Sequence, residues 1–217
     1  MMKKIIYIVL LITVTAMSGF SQKDGKAKEL LDKASDKYKE AGGISAGFSL
    51  NVKNPQTKAG ESFEGTILMK GEKFYLSTPD ADTWFNGKTQ WVYLKDAQEV
   101  NISEPSGRDI QMMNPAAIFT LYKVNSNYKY LGEKKDVKGR SVYEVELIPT
   151  NQNEEISKIV LQINKMDYFP VMFRITNKNK MESTVYISKY QLGQTYADAI
   201  FSFDKKKYPK AEIIDLR

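Results

Sequence analysis

Histidine and cysteine are both absent from the 217 residues, and that removes most of the reaction chemistry side chains can support. Without imidazole or thiolate there is no Ser-His-Asp or Cys-His nucleophile and no zinc site built on nitrogen and sulfur. Disulfides are excluded too, and no cysteine is present to carry a lipid. Carboxylates are plentiful, but no compact oxygen-ligand loop of the DxDxDG type occurs. The stretch SEPSGR (103–108) sets a serine among an acid and an arginine with no base placed to activate it, and reads as a surface turn. KGEK (70–73) and NGK (86–88) lack the rest of a phosphate loop and read as hairpin turns. Lys134 with Lys135, Lys178 with Lys180, and Lys205 to Lys207 would meet phosphates only if folding gathered them, and no nucleic-acid motif accompanies them. They read as solvated charge. The expectation is a protein with no catalytic residues, no cofactor, no metal and no nucleic-acid partner.

What the chain offers instead is aromatic surface. DADTWFNGKTQWVYLKDAQEV (80–100) carries both tryptophans around an Asn86-Gly87 turn, whose residues tolerate the positive φ of a tight hairpin. Trp91 to Leu94 and Val171 to Phe173 are apolar on both parities, whereas a half-wetted strand is apolar on one. An ordinary two-layer core and a ligand wall both produce that pattern. KAKELLDKASDKYKEA (26–41) places Ala27, Leu30, Leu31, Ala34, Tyr38 and Ala41 on one helical face, with Gly42 and Gly43 as the stop. Period two then begins: Ile44, Ala46, Phe48, Leu50 and Val52 share one side of a strand.

Further strands follow in SFEGTILMKGEKFYLSTP, the tryptophan hairpin, AQEVNIS, and the three long segments from Tyr128 to Tyr190, about ten in all by pattern. Local antiparallel pairing gives a meander. EPSGRDIQMMNPAAIFTLYK interrupts it, with Asn114 as cap and Pro115 in the first position of a second helix. FSFDKKKYPKAEIIDLR ends the chain as a short strand and a polar tail. No fixed-period repeat and no low-complexity linker appears, so 22–217 reads as one domain.

Residues 1–21 read as a secretory signal: Lys3 and Lys4, then the apolar run IIYIVLLITVTAM, too short for a membrane span, then small residues ending at Ser21. The formal charge of +6 is spread among many acids and implies solubility rather than a specific partner.

In this order, the amino-terminal helix, GISAGFSL, FEGTILMKGEKFYL, WFNGKTQWVYLKDAQEV and the proline-containing, Asp-x-Arg ending resemble the LolA-like family of periplasmic carriers of outer-membrane lipoproteins, over about residues 26–217. The resemblance implies a mainly β fold with covering helices: a strongly curved antiparallel sheet forming an incomplete barrel around an apolar cavity. It implies a soluble, non-catalytic periplasmic protein that takes lipoprotein acyl chains from an inner-membrane release complex and passes them to an outer-membrane acceptor, with no stable membrane span after signal cleavage. A sensory or protein-interaction module using the same sheet is the alternative, and a lipid-modifying enzyme a third. The cavity or lid residues expected on this basis are Phe48, Leu50, Leu68, Leu76, Trp84, Trp91, Tyr93, Met112, Met113, Ile118, Phe119 and Phe173. An arginine that latches the family's closing helices corresponds here to Lys70, with Gly71 the competing alignment; lysine lacks the bidentate fork such a latch uses.

Overall fold

The structure, a computed structural model, describes residues 24–54, 57, 59–105, 122–123, 126–150 and 155–217. The first element is a helix, α1 (Gly25–Glu40), and Asp24 starts it. The Asp24 carboxylate accepts from the N–H groups of Lys26 at 2.9 Å and Ala27 at 3.2 Å, satisfying donors that the first turn leaves unpaired. Its other oxygen accepts from the Tyr130 N–H at 2.9 Å, so one side chain caps the helix and ties it to a strand. The predicted stripe is the buried one: Ala27, Leu30, Leu31 and Ala34 are buried, with Tyr38 and Ala41 packed at its end. Gly42, at φ +66°, turns the chain out of the helix. At Gly43 a β-carbon would lie 2.0 Å from the Gln194 carbonyl oxygen, so the entry into the sheet needs glycine.

Among the described residues twelve strands then form one sheet. In chain order they are β1 (Gly43–Lys53), β2 (Gly60–Lys70), β3 (Lys73–Ser77), β4 (Ala81–Phe85), β5 (Gln90–Leu94), β6 (Glu99–Ser103), β7 (Ser126–Lys135), β8 (Ser141–Pro149), β9 (Ile156–Asn164), β10 (Pro170–Asn177), β11 (Glu182–Gln194) and β12 (Glu212–Asp215). Two meanders, β1 to β6 and β7 to β11, meet where β1 pairs antiparallel with β11. That pairing spans most of the chain and is invisible to local pattern. β12 adds to β6 in parallel, Ile213 beside Val100.

Several expectations are corrected. The turn after β4 centres on Gly87 and Lys88 rather than Asn86 and Gly87: the Asn86 N–H donates to the Thr89 carbonyl, and the Asn86 side chain accepts from Lys88 and Thr89. The FSF segment is no strand; a short 3₁₀ helix (Asp198–Phe201) forms instead, and the tail supplies β12. Most important, the sheet is open and uncurled, not a strongly curved incomplete barrel around a cavity. β7 and β12 stand at opposite ends of the strand order and do not pair. Around β3 to β5 the apolar residues on both parities, which suggested curling, have a different cause: the α1 cluster packs on one face there and the carboxy-terminal segment on the other. The second helix, expected from Asn114 and Pro115, lies outside the described residues.

Candidate functional site

On one face α1 sits over the sheet. Ile44 and Ala46 of β1, Ile67 and Met69 of β2, Phe74 of β3 and Phe85 of β4 pack with its stripe, and Leu147, Leu161 and Phe173 extend the same cluster across the second meander. Tyr122 closes one side of this layer. It is buried, and its hydroxyl donates to Asp32 of α1 at 2.6 Å. Burial first, and the Asp32 carboxylate second, push the Tyr122 phenol well above its ordinary range, so it stays a donor at any physiological pH.

At the margin of the main cluster the same face continues as half-buried apolar side chains, Phe48, Leu76, Ile175 and Val185 packing against the cluster itself. Leu50 pairs with Phe63 on one side and Val185 on the other, Phe48 precedes it on the same parity, and Leu76 and Ile175 flank them on β3 and β10. Gly65 opens room in the middle of this shelf. A β-carbon there would come within 2.5 Å of the Phe48 ring and 2.7 Å of the Ser77 carbonyl. The shelf is therefore a contiguous apolar strip that is only half covered among the described residues.

Over β3 to β6 the opposite face is covered by the carboxy-terminal segment. After β11 the chain runs through the 3₁₀ helix and back over β3 to β6 before joining the edge as β12. Tyr208 lies 4.7 Å from the Tyr93 ring and 5.6 Å from Trp84, and Phe203 stacks on Tyr208 at 5.3 Å. Trp84, Val100, Phe201 and Ala211 are buried outside the α1 cluster, and Trp84 meets Phe203 and Tyr208 edge-on, each at 5.6 Å. A buried polar group lies beside Tyr208. Asp82 accepts from the Ser77 hydroxyl at 2.6 Å and faces the Lys95 ammonium at 3.0 Å, while Lys95 also donates to the Thr78 carbonyl. Burial, then the Asp82 charge, push the Tyr208 phenol up to about 12.

The sequence-expected residues are thus divided by the sheet. Phe48, Leu50, Leu76 and Phe173 lie on the α1 face, the last within the core. Leu68, Trp84, Trp91 and Tyr93 lie on the other face, where Leu68 pairs with Tyr75, Tyr75 with Trp84, and Trp84 with Trp91. Met112, Met113, Ile118 and Phe119 fall outside the described residues. Lys70 reaches the carboxy-terminal segment: its ammonium donates to the Tyr196 carbonyl at 3.0 Å and meets Asp198 at 3.1 Å, with Lys73 on the other carboxylate oxygen at 2.7 Å. Lys73 and then Lys70 hold the Asp198 carboxyl below its ordinary range. Sequence pattern does not single out Phe63, Ile175 or Val185, though each sits at an alternating position among polar neighbours. Among the described residues no three carboxylates gather to hold a metal, and no helix is long and apolar enough to cross a membrane.

The fold is thus an open, mainly antiparallel sheet with a helix packed on one face. Residues 17–179 match the family described as outer membrane lipoprotein carrier protein LolA, and the chain belongs to that family. It is a periplasmic, non-catalytic protein. An uncharacterized conserved protein from Thermus thermophilus shares the fold at 14% identity and a TM-score of 0.59, over 88% of this chain and 99% of its own. Similar at a lower level are LprF from Mycobacterium bovis (12% identity, TM-score 0.49, 82% of this chain and 97% of its own) and a LolA superfamily protein from Nitrosomonas europaea (14% identity, TM-score 0.45, 82% and 97%). No match is found among curated proteins. The family match ends before β11, so the segment covering the second face lies beyond it.

Proposed function

We propose that this protein is an envelope interaction module that takes up an apolar segment of a client protein on the shelf beside α1. The observation that carries this reading is the half-buried strip of Phe48, Leu50, Phe63, Leu76, Ile175 and Val185 on an open sheet. An open shelf accepts a segment laid along it and releases that segment sideways, without a cavity having to open. Each methylene shielded there gains ~0.8 kcal/mol, so a short apolar stretch suffices for reversible capture.

Family membership favours a second reading, in which the client is a lipoprotein and the segment is its acyl chains. Handover from an inner-membrane release complex to an outer-membrane acceptor then follows, because acyl chains of this kind leave one apolar surface only for another. In both readings residues 1–21 are removed on export.

The test is purification of the protein from the periplasm of envelope-bearing cells, followed by mass spectrometry of what accompanies it, alongside Leu76→Glu. A client lost in the variant is the expected result. Acylated clients would select the lipoprotein reading and unlipidated ones the interaction reading, whereas a client set unchanged by Leu76→Glu, in a variant with native circular dichroism, would overturn both.

A further inference from the structure

Met166, 91% exposed, and Val137, 73% exposed, are the two most exposed large apolar side chains among the described residues. They are not scattered. Val137 tips the turn between β7 and β8, and Met166 the turn between β9 and β10. Val142 pairs with Asn164, and the Lys165 N–H donates to the Ser141 carbonyl at 3.1 Å, so both turns leave the same end of the β8–β9 ladder side by side.

The acid of the first turn, Asp136, is buried and that of the second, Asp167, is exposed but engaged within its own turn. Asp136 accepts from the N–H groups of Lys138 and Arg140 at 2.9 and 2.8 Å and from the Arg140 guanidinium at 2.7 Å. In the second turn the Asn164 side chain accepts from the Met166 N–H at 3.1 Å, and Asp167 accepts from the Phe169 N–H at 2.9 Å and the Asn164 amide at 3.1 Å. Tyr168 is held at φ +62°, a conformation a bulky residue adopts only when its surroundings impose it. These side-chain bonds fix the backbone of both turns and leave the apolar tips facing water.

Lys135 donates to the Ser141 hydroxyl and Lys138 to the Ser188 carbonyl, both neutral oxygens, and neither forms an ion pair among the described residues. Lys165 does pair, with Glu133 at 2.6 Å. This end of the sheet presents outward two apolar side chains, the Lys135 and Lys138 ammonium groups with no ion pair among the described residues, the Lys165–Glu133 pair, and Asp167, whose carboxylate is engaged by Asn164 and the Phe169 N–H.

We propose that these twin turns dock on the headgroup layer of an anionic phospholipid bilayer. Val137 and Met166 would enter the boundary between headgroup and acyl chain, and Lys135 and Lys138 would sit among the lipid phosphates. Two small anchors and two charges give weak, reversible contact, which suits a protein that must also leave the membrane. The site is separate from the shelf and takes no client.

Flotation of the periplasm-purified protein with phosphatidylcholine vesicles, with and without phosphatidylglycerol, tests this. Association is expected with the anionic vesicles and not with phosphatidylcholine alone, and should weaken with salt. Met166→Asp or Val137→Asp should each reduce it about tenfold. Lys135→Gln and Lys138→Gln should each reduce it about fivefold and flatten the salt dependence. Conservative Met166→Leu should keep it. No association with anionic vesicles, or association untouched by either tip substitution, overturns the proposal. Because the vesicles carry no client protein, failure here is distinct from failure of the client-binding reading.

Discussion

Gly65 shows how much one missing methyl group decides. With a β-carbon 2.5 Å from Phe48 and 2.7 Å from a backbone carbonyl, Gly65→Ala should cost about 1–3 kcal/mol, read as a fall in denaturation midpoint, because Phe48 must leave its place on the shelf. An unchanged midpoint would mean that the shelf is slack there. The two aromatic parities give a second test at this scale. Leu76→Glu should abolish client capture, while Trp91→Glu, on the other side of the sheet, should leave it intact. Parity alone correctly groups Phe48 with Leu50, and Trp91 with Tyr93, from sequence. It gives no means of telling which group looks at α1, since both faces of the β3 to β5 region are apolar and alternation carries no sign. Phe63 escapes a pattern reading because it stands alone between Ser62 and Glu64, and only its register opposite Leu50 reveals its neighbours.

Among the elements, the stripe of α1 and its glycine stop follow from period and capping, whereas the Asp24 cap, set before the periodic run, is seen only in the structure. The carboxy-terminal segment is not legible in the sequence. β12 has four residues and pairs in parallel with a strand more than a hundred positions away, a contact no local pattern encodes. Its attachment rests on rings and ions that can be tested separately. Tyr208→Ala removes a half-buried ring packed on Trp84, Tyr93 and Phe203, and should cost about 2 kcal/mol. The Lys70 and Lys73 pairs with Asp198 are solvent-exposed and should matter little at neutral pH, a prediction that Asp198→Asn tests by an almost unmoved midpoint. Their pH dependence has a definite sign. The Asp198 carboxyl lies below its ordinary 3.8, so the pairing is complete above that pH and is lost as pH falls through the lowered value. Trp84 fluorescence in a Trp91→Phe background should therefore stay constant from neutrality down to about pH 4.

At the scale of the whole molecule, the mainly β composition, the order of most strands and the covering helix are readable from the sequence, and the shape of the sheet is not. Strands apolar on both sides can be satisfied by curling around a cavity or by a layer on each face. The choice is made by the β1–β11 junction and by the carboxy-terminal segment, both products of long-range pairing. Packing by α1 on one face and by the carboxy-terminal segment on the other leaves the shelf as a half-covered apolar strip on the helix side, and the proposal puts the client there. Photo-crosslinking residues placed in living cells at Leu50 and Leu76 on one face, and at Trp91 and Tyr93 on the other, test this most directly. Client adducts from the first pair and none from the second are the expected result; adducts from Trp91 and Tyr93 alone would contradict it.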